Sequence, residues 1–483
     1  MFTGLLATKH ISDITAVAEA NELHRTLDAR ALVLLGIGAI IGTGIFVLTG
    51  TAAANHAGPA LIISFLIAGF GCALAGLCYA EFAAMIPACG SAYSYSYATL
   101  GEFVAWFIGW NLILEYLFAG ATVAVGWSGY VVSLMNQMGI ELPSALTNAP
   151  FAKGTGHFQV VRTGALINLP AVLAIAAITA LCYVGIRQSA RFNSVIVVIK
   201  VAVIVLFIGF GAWYIDGANW HPFIPPNTGH FGDFGWSGIF RAAGIIFFAY
   251  IGFDAVSTAA QEASNPQRDM PKGILLSLVI CTVLYVAVSA VLTGMVPYAE
   301  LNSPAPVALA LDRYPTLGWL GGLIKLGAIA GMTSVMLVML LGQPRIFYAM
   351  SQDGLLPPIF RRVHPKYKTP YVGTLLTGAV AATVAGLLPV TILGELVSIG
   401  TLLAFAVVCI GVLVLRQKSP DLIRPFRVPA PWFTCIGGAV ICVAMMLSLG
   451  IDTWLRLLIW TLIGVAIYAF YGYSHSVLRA RAR

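Results

Sequence analysis

Gly36-Ile37-Gly38-Ala39-Ile40-Ile41-Gly42-Thr43-Gly44-Ile45-Phe46 sets four glycines in nine residues inside a strongly apolar run. Glycine there weakens a regular helix, because it gives up the most backbone freedom on ordering. A second irregular stretch, Phe247-Phe248-Ala249-Tyr250-Ile251-Gly252-Phe253-Asp254-Ala255-Val256-Ser257-Thr258, puts Gly and Asp two residues apart in another apolar run. The second stretch lies five apolar runs after the first. That odd spacing puts it in an inverted five-helix copy. Paired breaks in corresponding helices of two inverted halves point to a transport site at mid-membrane. Close packing through small residues is the alternative for either break alone. The glycines do not make a nucleotide loop: the spacing fits neither fingerprint, no Lys follows and no strand precedes them.

The rest of the 483 residues supports a membrane setting. The chain is 59% hydrophobic and 9% charged, with a mean hydropathy of +0.90, too few charges to cover a soluble domain of this size. A soluble enzyme, a disordered regulator and a disulfide scaffold are excluded. Apolar runs near 31–53, 58–85, 101–134, 168–186, 190–215, 237–260, 272–296, 318–350, 371–388, 391–415, 431–450 and 453–473 predict about twelve transmembrane helices in an all-α polytopic protein. The runs at 101–134 and 318–350 are long enough to tilt or to extend past the bilayer. No ten-residue alternation suggests a barrel. Residues 1–30 have no signal-peptide layout.

The net charge of +7 does not form a nucleic-acid stripe. With a cytoplasmic N-terminus, 19 of the 26 Lys and Arg fall on the inner side, while the outer side receives Lys153, Arg162, Arg241, Arg313 and Arg456. Both termini are therefore expected to be cytoplasmic, although the inner loop 86–100 carries no Lys or Arg. Cys72, Cys78, Cys89, Cys182, Cys281, Cys409, Cys435 and Cys442 are scattered, mostly in apolar runs and never as C-x-x-C, which predicts inert thiols and no metal site.

Ionisable residues inside spans are costly and call for a reason. Lys200, in Val197-Val198-Ile199-Lys200-Val201-Ala202, is apolar on every side. A lysine without water gives up its proton more readily, so it is a candidate proton carrier; a fixed strut on backbone carbonyls is the alternative. Glu115, midway along the third span, could receive a cationic group or serve as a neutral hydrogen-bonded acid. Asp254 could cap the restarted sixth helix or contact substrate or proton. Glu81 and Glu102 flank a short loop and are expected to organise that edge; Lys325 is expected to snorkel. All eight histidines lie in loops, termini or span ends. No nucleophile, base or metal cluster sits within the spans, which argues against an enzyme.

GIGAIIGTGIFVLTG at 36–50 resembles the amino acid–polyamine–organocation transporters. CYAEFAAMIPACGSAYSYSYATLGE at 78–102, LILEY at 112–116, SARFNSVIVVIKVAV at 189–203, FFAYIGFDAVSTAAQEASNPQRDMPKGI at 247–274 and GQPRIFYAMSQDGLLP at 342–357 narrow the resemblance to the cationic amino acid transporter family, particularly its shorter bacterial members. It covers about residues 27–473. One departure is Leu27-Asp28-Ala29-Arg30, where relatives usually read Leu-Gly, and it bears on the start of the first helix.

The resemblance implies a LeuT-type fold with a 5+5 inverted repeat and two peripheral helices. Residues 1–30 would be a cytoplasmic segment. Residues 31–415 would be the transport core, with helices 1–5 at about 31–215 and helices 6–10 at about 237–415. Helices 11–12 would occupy 416–473, and 474–483 would be a cytoplasmic tail. It implies alternating-access uptake of cationic or small neutral amino acids across the cell membrane, proton coupling and no cofactor. The partners are then substrate, protons and membrane lipid, without nucleic acid, and with a small single-span subunit left open. Ile40, Ile41, Gly42, Thr43 and Gly44, with Phe248, Ala249, Tyr250 and Ile251, match the family's substrate site. Glu115 matches a substrate-facing acid and Lys200 the lysine of helix 5. Physically, a broken helix offers N–H groups to a carboxylate and C=O groups to an ammonium, and Gly42 and Gly44 are expected to let the carboxylate approach. An exchanger without proton coupling and a non-transporting amino acid sensor are the competing readings.

Overall fold

A computed structural model describes residues 7–10, 27–86, 90–154, 159–185 and 190–482. Most of segment 1–30, with Cys89 and Arg187, lies outside the described residues.

The first span opens with α1 (Ala29–Ile40). Asp28, the departure noted above, is its N-cap: the carboxylate accepts the Ala31 amide at 2.9 Å, supplying one of the free donors of the first turn. After Ile41-Gly42-Thr43 the chain resumes as a π turn, Gly44–Leu48, and winds on to Ala57. Gly58 then turns it at a φ of +59° into α2 (Leu61–Met85). Next come α3 (Ser91–Thr99), α4 (Glu102–Ile113) and α5 (Ala119–Gln137). An antiparallel ribbon follows, β1 (Phe151–Lys153) against β2 (Val160–Arg162). Then come α6 (Leu169–Val184), α7 (Ala190–Gly211), α8 (Gly235–Ile246), α9 (Phe253–Thr258), α10 (Pro266–Met295) and α11 (Pro306–Asp312). There follow α12 (Gly318–Gln352), α13 (Tyr371–Leu387), α14 (Val390–Lys418), α15 (Pro431–Ser448), α16 (Ile451–Ile467), which continues helically to His475, and a last short helix at Val477–Ala482.

Among the described residues, nine helical stretches are long and apolar enough to cross a membrane, and α1, α6 and α13 are shorter apolar helices. Since the stretch Gly44–Met85 bends into two, and its first part joins α1 as the two halves of one broken span, these make twelve spans. The third span is α4 and α5 joined through a π turn, and the sixth is α8 and α9. The two long runs are long helices here too, Glu102–Gln137 and Pro315–Gln352.

The second span packs on the seventh, the third on the eighth and the fourth on the ninth. Those are the pairs that a two-fold relation between spans 1–5 and 6–10 brings together. The sixth span lies at the centre, 89% buried, whereas the twelfth is 22% buried and peripheral. Small residues set the close approaches: an added Cβ on Gly378 would meet Thr179 at 2.3 Å, and one on Gly327 would meet Val203 at 2.5 Å.

Three expectations change. The loop 86–100 contains α3, whose Tyr93, Tyr95 and Tyr97 are buried; its tyrosines and serines hid a helix from a reading of apolar runs. The seventh span starts at Pro266 rather than 272, because the polar first turns of a helix can stand outside an apolar run. Lys325 does not snorkel. Its side chain is 1% exposed and its Nζ donates to both Asp312 oxygens, at 3.0 and 2.9 Å, and to Gln137 at 3.0 Å. Asp312 sits on α11, a helix that hydropathy does not reveal. Glu81 and Glu102 do organise one end of the bundle. Glu81 accepts from Arg416 Nε at 3.0 Å and the Val428 amide at 2.7 Å. Glu102 accepts from Tyr97, Tyr468 and Ser476 and pairs with Arg479.

Candidate functional site

The two breaks face each other. Ile41 leaves the helix in an extended conformation, and Gly252 takes a φ of +121° that an L side chain rarely adopts. An added Cβ on Gly44 would lie 2.3 Å from Ala249 Cα, and one on Gly252 would lie 2.7 Å from the Ala39 carbonyl. Each break's glycine thus abuts the other helix. The Cβ position of Gly44 faces Ala249, and that of Gly42 faces Val335 at 3.2 Å. In this closed arrangement neither glycine borders open space. Ile40, Ile41, Thr43, Phe248, Ala249, Tyr250 and Ile251 are all 5% exposed or less, so admitting a ligand requires the breaks to part.

A broken helix leaves carbonyls without intrahelical partners, and buried ones must be satisfied elsewhere. Here side chains supply the bonds. Lys200, fully buried on α7, donates from Nζ to Gly38 O at 2.7 Å and Ile41 O at 3.1 Å. Its stem passes Gly331 of α12, whose added Cβ would meet Lys200 Cε and Cγ at 3.0 Å. Tyr285 of α10 sets its hydroxyl 3.1 Å from Ile40 O and 2.9 Å from Ala249 O, bridging both breaks. Past the break, in the resumed helix, Tyr130 adds a bond to Phe46 O at 2.8 Å and the Thr49 hydroxyl one to Gly44 O at 3.0 Å. Thr43 lies between the third and eighth spans, its hydroxyl 3.2 Å from Met332 Sδ.

The acids form a second group. Glu115 and Tyr116 ride on the π turn Leu114–Phe118, an irregularity found in helices mostly at functional sites. Gly342 leaves room for the Tyr116 ring. Tyr116 donates to Asp254 Oδ2 at 2.8 Å. Gly252 holds the cap position of α9, and Asp254 lies in its first turn. The Glu115 carboxyl is buried beside the Asp254 carboxyl and the Thr401 hydroxyl. Tyr79 faces the same two acids.

The structure therefore brings every site residue named from the sequence to the two breaks or to the acid group beside them. Tyr285, Thr401 and Tyr79 carry no signal in the sequence that would mark them as site residues. Tyr285 is a lone polar tip in Ile280-Cys281-Thr282-Val283-Leu284-Tyr285-Val286, a pattern that buried tyrosines share everywhere.

Residues 27–468 match the family model described as amino acid permease. The chain belongs to that family. Its membership also fits the amino acid–polyamine–organocation superfamily, and it makes the chain a membrane transporter rather than an enzyme. The methylthioribose transporter of Bacillus subtilis (strain 168) is 49% identical over 476 residues, 99% of each chain. The branched-chain amino acid permease BcaP of the same organism is 49% identical over 474 residues, 97% of this chain and 98% of the relative. The vacuolar cationic amino acid transporter 4 of Arabidopsis thaliana is 39% identical over 403 residues, 83% of this chain and 65% of the relative. In permease terms, the breaks offer carbonyl acceptors suited to a cation, and the acid group offers oxygens able to hold one or a proton.

Proposed function

We propose that this permease takes α-amino acids into the cell across the cell membrane by alternating access, driven by protons, with both termini cytoplasmic. The observation that carries the reading is Lys200: an amine buried among aliphatic side chains, held on Gly38 O and Ile41 O at the break of the first span. Substrate would lie at Ile40–Gly44 and Phe248–Ile251, its carboxylate toward the N–H groups of a restarted helix and its ammonium toward the carbonyl ends. Lys200 would gain and lose a proton as the breaks open and close. Glu115 and Asp254 would be further carriers, since two carboxyls side by side out of water are most stable when one proton is shared.

The relatives' names cover branched-chain and cationic amino acids as well as methylthioribose. An acid at Glu115 suits an added ammonium or guanidinium, while the small closed site suits neutral side chains. Cationic and small neutral amino acids are both in range. The two carbonyl bonds of Lys200 favour one second reading, an exchanger in which that lysine is a permanent strut. Uptake of radiolabelled amino acids into proteoliposomes, with and without an inward proton gradient, separates the two. Accumulation only with the gradient supports coupling, and counterflow indifferent to the gradient supports exchange. Absence of amino acid flux in both formats sinks the substrate assignment.

A further inference from the structure

Tyr285 satisfies the two breaks in an incomplete way. A phenol has one O–H hydrogen, yet its oxygen lies within bonding distance of two carbonyls, Ile40 O at 3.1 Å and Ala249 O at 2.9 Å. The first closes the N-terminal half of the broken first span, and the second belongs to the turn that ends α8. Both are helix C-terminal carbonyls, where the macrodipole favours positive charge over a neutral donor. The ring itself is fixed. It is fully buried against Phe65 and Tyr250, with ring centroids 5.5 and 5.4 Å away. Tyr250 is tied in turn to Phe65 O at 2.9 Å. Only the hydroxyl bond can be exchanged without moving the aromatic cage.

We infer that the Tyr285 hydroxyl stands in for the substrate's α-ammonium: it bridges Ile40 O and Ala249 O while the breaks are closed on each other, and substrate displaces it. This rests on the substrate position given under Proposed function. An ammonium has three N–H donors and a charge, so it can serve both carbonyls at once through bonds about twice as strong as neutral ones. Tyr285 is accordingly a positioning residue that competes with substrate. The competition gives the inference an unusual sign: removing the hydroxyl should tighten binding.

The test uses the full chain, purified in detergent, and its Tyr285→Phe variant. Dissociation constants are measured for L-alanine, L-leucine and L-arginine and for the acids that lack the amino group, propionate and 4-methylpentanoate. Loss of one competing neutral hydrogen bond predicts amino acid binding about fivefold tighter in Tyr285→Phe, with a lower melting temperature in the absence of amino acid and no gain for the acids. Unchanged or weaker amino acid binding by a folded Tyr285→Phe, with the acids still rejected by wild type, overturns the inference and leaves the substrate position standing. Wild type binding the acids as well as the amino acids, or binding no amino acid, overturns both.

Discussion

The Cβ that Gly44 lacks would stand 2.3 Å from the Cα of Ala249, so the two broken helices touch through the absence of a side chain. Backbone cannot yield as a flexible side-chain tip can. Gly44→Val should therefore force the breaks apart and cost more than the 1–3 kcal/mol usual for overpacking, roughly. The expected outcome is a sharply lower melting temperature and a poor monodisperse yield. Gly42→Ala meets only the Val335 side chain, at 3.2 Å, and should fold nearly normally. Equal thermal stability of Gly44→Val and wild type would remove the packing account.

Three of the five cations on the ribbon side converge on one carboxylate. Glu395, buried on α14, accepts from Lys153 at 2.8 and 3.1 Å and from Thr453 at 2.8 Å, with Arg241 and Arg456 at 3.8 and 3.9 Å. Glu395→Ala would leave those partly buried cations facing one another without their shared carboxylate, which should cost clearly more than losing any one of them. Lys153→Gln should cost about 1 kcal/mol or less, because that lysine is 30% exposed and solvent screens its charge. Thermal unfolding of both variants checks the contrast; comparable losses would mean that the ribbon, not the arginines, depends on Glu395.

The Glu395 cluster also shows where the sequence ran out. Apolar runs of membrane length and the two breaks are local signals, and the spans and the interrupted helices lie where they point. Asp28 as a helix cap is local too. Glu395 and its partners are far apart in the chain and come together only when the sixth, tenth and twelfth spans and the ribbon pack. The burial of Lys325 has the same cause, since its partner Asp312 lies on a helix too short for hydropathy to register. The π turn under Glu115 has no composition signal at all: Leu114-Glu115-Tyr116-Leu117-Phe118 would sit equally well in a regular helix.

Glu115→Gln should weaken cationic amino acids more than small neutral ones. Glu115 is buried beside the Asp254 carboxyl and the Thr401 hydroxyl, so a side-chain ammonium or guanidinium reaching this pair of acids would meet a complementary charge out of water. Losing that charge-assisted contact predicts a cost of about 1–3 kcal/mol for arginine, and a smaller one for alanine. Competition binding against both amino acids provides the measurement. An equal loss for the two would assign Glu115 to the α-ammonium or to the fold.

Lys200→Ala separates a proton carrier from a strut. The amine is held on Gly38 O and Ile41 O and its stem fills the groove left by Gly331, so its removal will cost stability under either reading. The two readings differ in what the surviving folded protein can do. If Lys200 gains and loses a proton during the cycle, the alanine variant lacks the step that ties the breaks to the gradient. Accumulation against a concentration gradient should disappear, while exchange of labelled for unlabelled substrate persists. If Lys200 is a strut, both activities should fall together, in proportion to the folded fraction. Proteoliposome assays of accumulation and exchange, normalised to monodisperse protein, distinguish the two. Full proton-driven accumulation by Lys200→Ala would sink the assignment and leave Glu115 and Asp254, the latter held by Tyr116, as the carriers to test next.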